Sequence, residues 1–168
     1  MKAATGSKRT TVELPTDEQI LITRAFDAPR HLVYKAFTTP ELVKRWWHAS
    51  RGEMTIAEID LRVGGVWRYV MVMADGFEVG FHGEYREIVP GERIVSTEVY
   101  EGLPEGVSEE DAATVNTTTF FEADERTTLT ILVQTTSKVS RDAIIDSGME
   151  AGLQDAMNLL EEISISLG

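Results

Sequence analysis

The chain has no cysteine among its 168 residues. This absence excludes a disulfide framework, a thiolate metal site and a cysteine nucleophile. The sequence also has no run of about 18 apolar residues, the length that a membrane-spanning helix requires. Its opening stretch, MKAATGSKRT, lacks the apolar segment of a signal peptide. We therefore expect a cytoplasmic protein that does not insert into membranes.

Basic residues are scarce relative to acidic ones. The chain has 16 Lys and Arg against 28 Asp and Glu, a net charge of −12. This charge repels nucleic acids and anionic lipid headgroups, so binding to either is not expected. The 3 histidines form no H-E-x-x-H motif, and no G-x-S-x-G motif marks a nucleophilic serine. We expect no metal, no cofactor and no catalytic motif.

The length and the 42% hydrophobic content are typical of one globular domain with a substantial core. We assign residues 1–15 to a flexible N-terminal leader, because they include no strong apolar pattern. Residues 16–168 form the predicted single domain. It is either a monomer or a homodimer, and a homodimer would use an exposed strip of Val66, Val70 and Val72.

Alternation of apolar and polar residues predicts the strands. A first strand covers Ile20–Phe26, with Arg24 as a candidate for its apolar face. From Glu53 onward, alternating stretches are separated by turns that contain Gly, Pro or an Asp-Gly pair. These stretches are MTIAEID, VWRYVMVM, FEVGFHGEYREIV, ERIVSTEVY, VNTTTFFEA and TTLTILVQTTS. Short turns pair consecutive strands antiparallel, so the pattern predicts an antiparallel sheet of six to seven strands.

Two short helices are predicted between the first strand and the second. Asp27 is the expected N-cap of the first helix, which is entered through Pro29. Thr39 is the expected N-cap of the second helix, which is opened by Pro40 and covers ELVKRWW. Both helices precede the long run of strands, so the fold class is α+β.

The last stretch of the chain predicts a long amphipathic helix. Its apolar residues recur in steps of three and four up to Leu167, and Glu161 belongs to its polar face. Ser147 and Glu150 have the spacing of a capping box, so the long helix is expected to begin at Ser147 with a break near Gly148. The apolar stripe of this helix must pack on the sheet.

A long, bent sheet that is covered by a single helix leaves a cavity between them, which is the expected ligand site. Gly152 leaves room beside the helix, and the acidic loop Glu101–Ala113 is a candidate lid. The predicted apolar lining consists of Trp46, Trp67, Tyr69, Met71, Phe81, Met149, Leu153 and Met157. The predicted polar contacts are His48 and Glu98. The alternative for these side chains is ordinary core packing.

Several segments resemble the family of activator of heat-shock protein 90 ATPase homologue-like proteins. They are RAFDAPRHLVYKAFTTPELVKRWW, DLRVGGVWRYVM, the ADG turn, HGEYREIVPGERIVST, TTLTIL and SGMEAGL. This family is a branch of the START-like, or SRPBCC, superfamily related to the birch-pollen allergen. The resemblance covers Glu18–Gly168 and implies a helix-grip fold, in which a curved antiparallel sheet wraps around a long C-terminal helix. The chain departs from the family at Leu153, where a tryptophan is frequent, and at Val63, where a proline is usual.

The resemblance leaves three functions open, because superfamily relatives include carriers of hydrophobic ligands, cyclases and aromatases. The first is binding of a small hydrophobic molecule in the cavity between sheet and helix. The second is a cyclase- or hydrolase-type enzyme that uses a cavity carboxylate or histidine. The third is a chaperone-associated interaction module. The resemblance supplies no catalytic residue that can be transferred to this chain.

Overall fold

The computed structural model describes residues 9–168, which form one eight-stranded antiparallel sheet and five helices. The strands are β1 Thr11–Glu13, β2 Gln19–Phe26, β3 Gly52–Ile59, β4 Val66–Met73, β5 Glu78–Val89, β6 Arg93–Tyr100, β7 Thr114–Ala123 and β8 Arg126–Gln134. The helices are α1 Arg30–Thr38, α2 Pro40–Val43, α3 Glu109–Ala112, α4 Lys138–Asp146 and α5 Met149–Ser166. Strands follow the order β1-β2-β8-β7-β6-β5-β4-β3 across the sheet. The predicted α+β helix-grip fold is confirmed.

The sheet has one strand more than the six to seven that were predicted. The additional strand is β1, which pairs antiparallel with β2. It has 3 residues, too few to show an alternating pattern, so periodicity does not detect it. Because β1 lies within the predicted leader, ordered structure begins before residue 16. Residues 1–8 of that leader lie outside the described residues.

Both short helices are present, but the second ends at Val43, before the tandem tryptophans that were predicted to belong to it. Pro29 occupies the N-cap position of α1 and no side chain caps this helix, so the prediction for Asp27 was wrong. The Asp27 carboxylate instead accepts a hydrogen bond from Arg126 Nε at 2.7 Å. Thr39 does hold the N-cap position of α2, although its side chain makes no capping hydrogen bond. Pro40 begins α2 as expected.

The break before the long helix lies at Gly148, as predicted. Gly148 has a φ of 82°, in the left-handed region that glycine tolerates best, and it is the N-cap residue of α5. The predicted capping box was wrong. The Ser147 hydroxyl donates to Ile144 O at 2.5 Å and so closes the end of α4 instead of opening α5.

A buried ion pair fastens α5 to β2. Arg24 Nη2 donates to Glu161 Oε1 at 2.8 Å, and the side chains are 1% and 7% exposed. Arg24 Nη1 also donates to Asn158 Oδ1 at 2.9 Å, and Glu161 Oε2 accepts from Asp27 N at 2.9 Å. Glu161 therefore faces the sheet, and its assignment to the polar face of the helix was wrong. Arg24 does lie on the inner face of β2, with Ile20, Ile22 and Phe26.

The solid core occupies the end of the sheet where α1 packs against the second half of α5. Phe26, Val33, Leu129 and Leu160 are almost completely buried there. The first half of α5 belongs instead to the wall of a large cavity. None of the helices in residues 9–168 is long and apolar enough to cross a membrane.

The outer face of β4 does not carry the continuous apolar strip that a homodimer would use. Val66 is 62% exposed, but Val70 is only 2% exposed. The Val70 side chain packs beside Gly80 on the neighbouring strand. A Cβ atom on Gly80 would lie 3.5 Å from Val70 Cγ2. The choice between monomer and homodimer stays a prediction.

We expect Glu161→Gln to lower the free energy of unfolding by about 3 kcal/mol, because it leaves the buried Arg24 charge without a countercharge. Urea denaturation measures this change. The control is Glu87→Gln, which breaks the half-exposed Arg93–Glu87 pair at the same distance, 2.8 Å. Exposed pairs contribute about 0–1 kcal/mol, so equal losses in the two variants would contradict a structural role for the buried pair.

Candidate functional site

A cavity of about 970 Å³ lies between the inner face of the sheet, α4 and the first half of α5. Its size is at the upper end of the range for small-molecule sites, roughly 300–1,000 Å³. Every residue that was predicted from the sequence to belong to the site lies on the wall of this cavity: Trp46, His48, Trp67, Tyr69, Met71, Phe81, Glu98, Met149, Gly152, Leu153 and Met157. Their role in binding stays a prediction.

Aromatic rings form a continuous patch on this wall. The Trp67 and Tyr69 ring centroids are 4.8 Å apart, and the Trp47 ring is 5.5 Å from both Tyr69 and Phe81. Phe81 in turn lies 5.2 Å from Tyr100. Trp67, Tyr69 and Met71 share the inward face of β4, which settles the orientation of that strand. Sequence reasoning did not include Trp47 and Tyr100 among the site residues.

Gly83 makes room for the indole of Trp67. The two residues are cross-strand partners on β5 and β4. A Cβ atom on Gly83 would lie 1.8 Å from Thr97 O and 2.6 Å from Trp67 Nε1. Without it, the indole lies over the glycine and donates its N–H to Thr97 O at 3.1 Å. The glycine thus leaves room for the ring of Trp67, which lies on the cavity wall.

The tandem tryptophans divide between the core and the aromatic patch. Trp46 is buried, and its indole N–H donates to Ala36 O at 2.9 Å. That donor is therefore already used, and Trp46 offers a ligand only apolar surface. His48 lies at the cavity edge, where its Nδ1 accepts from Ser50 N at 2.9 Å. Only Nε2 of His48 remains to contact a ligand.

A polar strip crosses the cavity wall on β6 and β7, and the sequence analysis identified only Glu98 in it. The strand register pairs Glu98 with Thr114 and Ser96 with Asn116, so their side chains share the inward face. Asn116 Nδ2 donates to Glu98 Oε1 at 3.1 Å. Thr114 Oγ1 donates to Asn116 Oδ1 at 3.0 Å. These bonds orient one carboxylate oxygen and leave the other to the cavity.

Burial in this wall raises the pKa of Glu98 above its usual value, while the hydrogen bond from Asn116 partly offsets the effect. Water is a better solvent for the ionised carboxylate than the apolar wall, which explains the direction. Burial, with smaller contributions from the charges of Tyr85 and Glu98, also raises the pKa of Tyr69 well above its usual value. Tyr69 and Glu98 therefore lie within electrostatic range of each other.

The cavity entrance is framed by Arg51, α4 and the loop before β7. Arg51 Nη2 lies 3.5 Å from Asp155 Oδ2, and both side chains are about half exposed. A Cβ atom on Gly152 would lie 3.7 Å from Arg51 Nε, so this glycine faces the entrance instead of the sheet. In residues 9–168, no group of histidines and carboxylates is arranged to hold a metal ion.

The loop proposed as a lid lies over this entrance. Its apolar residues Leu103, Pro104 and Val107 line the cavity. The carbonyl oxygen of Asp111 accepts hydrogen bonds from Thr136 Oγ1 at 2.5 Å and from Ser140 Oγ at 3.4 Å. These two hydrogen bonds tie the loop to the beginning of α4.

Comparison with known proteins supports the architecture. The family model described as Activator of Hsp90 ATPase homolog 1-like protein matches residues 27–164. A crystal structure of a Rhodobacter sphaeroides protein is 22% identical, with a TM-score of 0.84, and the match covers 95% of this chain and 100% of that one. A Mycobacterium smegmatis protein is 22% identical, with a TM-score of 0.80 and 92% and 96% coverage. A Chromobacterium violaceum protein is 28% identical, with a TM-score of 0.74 and 89% and 98% coverage. No functionally curated protein matches the sequence.

We expect Gly83→Ala and Gly152→Ala to have opposite effects on stability. The first places a methyl group against the Thr97 carbonyl and the Trp67 indole, and should destabilise the fold by about 3 kcal/mol. The second adds a methyl group at ordinary contact distance within a helix, and should stabilise it by up to about 1 kcal/mol. Urea denaturation of both variants tests this, and an unchanged stability in Gly83→Ala would contradict the close approach.

We expect Glu98→Gln to stabilise the protein more at pH 8 than at pH 4. The pKa of Glu98 is raised in the folded state, so the wild type has no penalty below the unfolded pKa and loses stability as pH rises through the folded pKa. Glutamine does not titrate. Each unit of the raised pKa corresponds to about 1.4 kcal/mol.

The measurement is the difference in urea midpoint between variant and wild type at each pH. The control is Glu84→Gln, on the exposed outer face of β5. A difference for Glu98→Gln that is the same at both pH values would show that its carboxylate is not desolvated.

Proposed function

The chain belongs to the Activator of Hsp90 ATPase homolog 1-like family, and we propose that it binds a small hydrophobic molecule in the cavity between the sheet and α5. The observation that supports this proposal is the cavity itself. It has a volume of about 970 Å³, and most of the side chains around it are apolar or aromatic. A folded protein normally fills its interior to crystal-like density, so an apolar space of this size is typical of a ligand site.

Flexible side chains line the helix side of the cavity. Met149, Leu153 and Met157 project from α5 toward the sheet, and Met71 lies on the opposite wall. Methionine adapts its shape to a ligand at little energetic cost. Leu153, where relatives frequently have tryptophan, leaves additional space. The wall is therefore suited to a ligand of at least two fused rings or a comparable alkyl chain.

One observation favours the second candidate, a cyclase- or hydrolase-type enzyme. Burial raises the pKa of Glu98, and a carboxylic acid with a raised pKa is suited to general acid or base catalysis. Its hydrogen-bonding neighbour, Asn116, does not titrate. Release of nitrophenol from apolar nitrophenyl esters, compared between wild type and Glu98→Gln, tests this candidate. The absence of a rate that depends on Glu98 would argue against it.

The chaperone-associated module and the cytoplasmic location stay predictions.

We expect Gly152→Trp to abolish binding of a neutral apolar dye such as N-phenyl-1-naphthylamine, because the indole would occupy the entrance beside Arg51. Dye fluorescence measures binding, and circular dichroism verifies the fold. The matched control is Ala151→Trp, one residue earlier on the exposed side of α5, which should retain binding. Unchanged binding in Gly152→Trp would place the site elsewhere, and absence of binding to the wild type would contradict the proposed function.

A further inference from the structure

The cavity wall contains one carboxylate whose hydrogen bonding is incomplete. Glu98 Oε1 accepts from Asn116, whereas Oε2 has no hydrogen-bond partner among residues 9–168. Asn116 is itself held in place by Thr114, so the amide presents its N–H group to Oε1 in a defined orientation. The carboxylate is thus positioned by the sheet, with its second oxygen directed to the ligand space.

No cation of the described chain neutralises this carboxylate. Within residues 9–168, the basic side chains on the cavity wall are Arg51 and His48. Arg51 is directed to Asp155 at the entrance, and His48 Nδ1 is bonded to the backbone of Ser50. The Glu98 side chain is partly buried, and this burial disfavours its ionised form unless a ligand supplies a countercharge.

Aromatic side chains share the cavity wall with the carboxylate. Trp67 donates its N–H to the carbonyl of Thr97, the residue before Glu98, and Tyr69 packs against Trp67 at 4.8 Å. Phe81 and Tyr100 extend the same patch. The electron-rich faces of such rings attract organic cations, most strongly where water is excluded. A carboxylate beside several aromatic rings is a combination that favours an ammonium group.

From this arrangement we propose that the ligand is a hydrophobic amine, whose protonated nitrogen binds Glu98 Oε2 and whose apolar body contacts the aromatic patch. The proposal rests on the proposed function, since it names the chemical class of the molecule that occupies the cavity. The net charge of −12 also favours the approach of a cation. A carboxylate head group in the same orientation would be repelled by Glu98.

Three naphthalene compounds of nearly the same shape test the proposal: 2-naphthylmethylamine, 2-naphthylmethanol and 2-naphthoic acid. Isothermal titration calorimetry at pH 7.5 gives their dissociation constants for the wild type. We expect the amine to bind at least about tenfold more tightly than the alcohol and the acid to bind most weakly. In Glu98→Gln, the amine should weaken to the affinity of the alcohol, while the affinity for the alcohol changes little.

The control variant is Glu84→Gln, which makes the same change of net charge on the exposed outer face of the sheet. It should retain the preference for the amine, so a loss in this variant would show that only the overall charge matters. Equal affinities for amine and alcohol in the wild type would overturn the inference and leave the proposed function standing. So would an amine preference that persists in Glu98→Gln, or tightest binding of the acid. Binding of none of the three compounds would overturn the proposed function and this inference with it.

Discussion

The buried pair of Arg24 and Glu161 determines how the long helix sits on the sheet. Two charges that are removed from water must satisfy each other, because either one alone is strongly destabilising. The 2.8 Å contact, with Asn158 and the backbone of Asp27 as further partners, constrains both the rotation of α5 about its axis and its position along the sheet. The second half of the helix is thereby held against the core. The first half of α5 begins after the left-handed residue Gly148, and the space between this half of the helix and the sheet is the cavity.

The elements of this fold were predictable where hydrophobic periodicity is strong. Seven strands and the long helix have enough residues for alternation or a helical stripe to be visible, and the break at Gly148 follows from the conformational preference of glycine. β1 is too short for such a pattern. The burial of Glu161 was not predictable from the same reasoning, because a hydrophobic pattern contains no information about a charged partner on a distant strand. Ser147 shows a related difficulty, since a hydroxyl near a helix junction can close one helix or open the next.

The cavity wall was predictable in part for a similar reason. An alternating strand such as β4 identifies which residues share a face, and large aromatic side chains make the inward face recognisable. β7 has threonines on both of its faces and two consecutive phenylalanines, so alternation does not identify its inward face, and Thr114 and Asn116 were missed. Their position follows from the register with β6, which is a property of paired strands. The division of the tandem tryptophans was equally indeterminate, because neighbouring helical residues differ by about 100° and either could face the core.

Glu161 is buried and Glu98 is partly buried, and the two carboxylates differ in how completely the protein pairs them. Glu161 is surrounded by donors that satisfy both of its oxygens, as a structural carboxylate requires. Glu98 has one oxygen held by Asn116, while the other faces the cavity and its pKa is raised by burial. An apolar side chain at position 98 would avoid this penalty. Local departures of this kind are expected at functional or strained sites of a protein. In this domain, the space in front of Glu98 is where a compensating interaction would form.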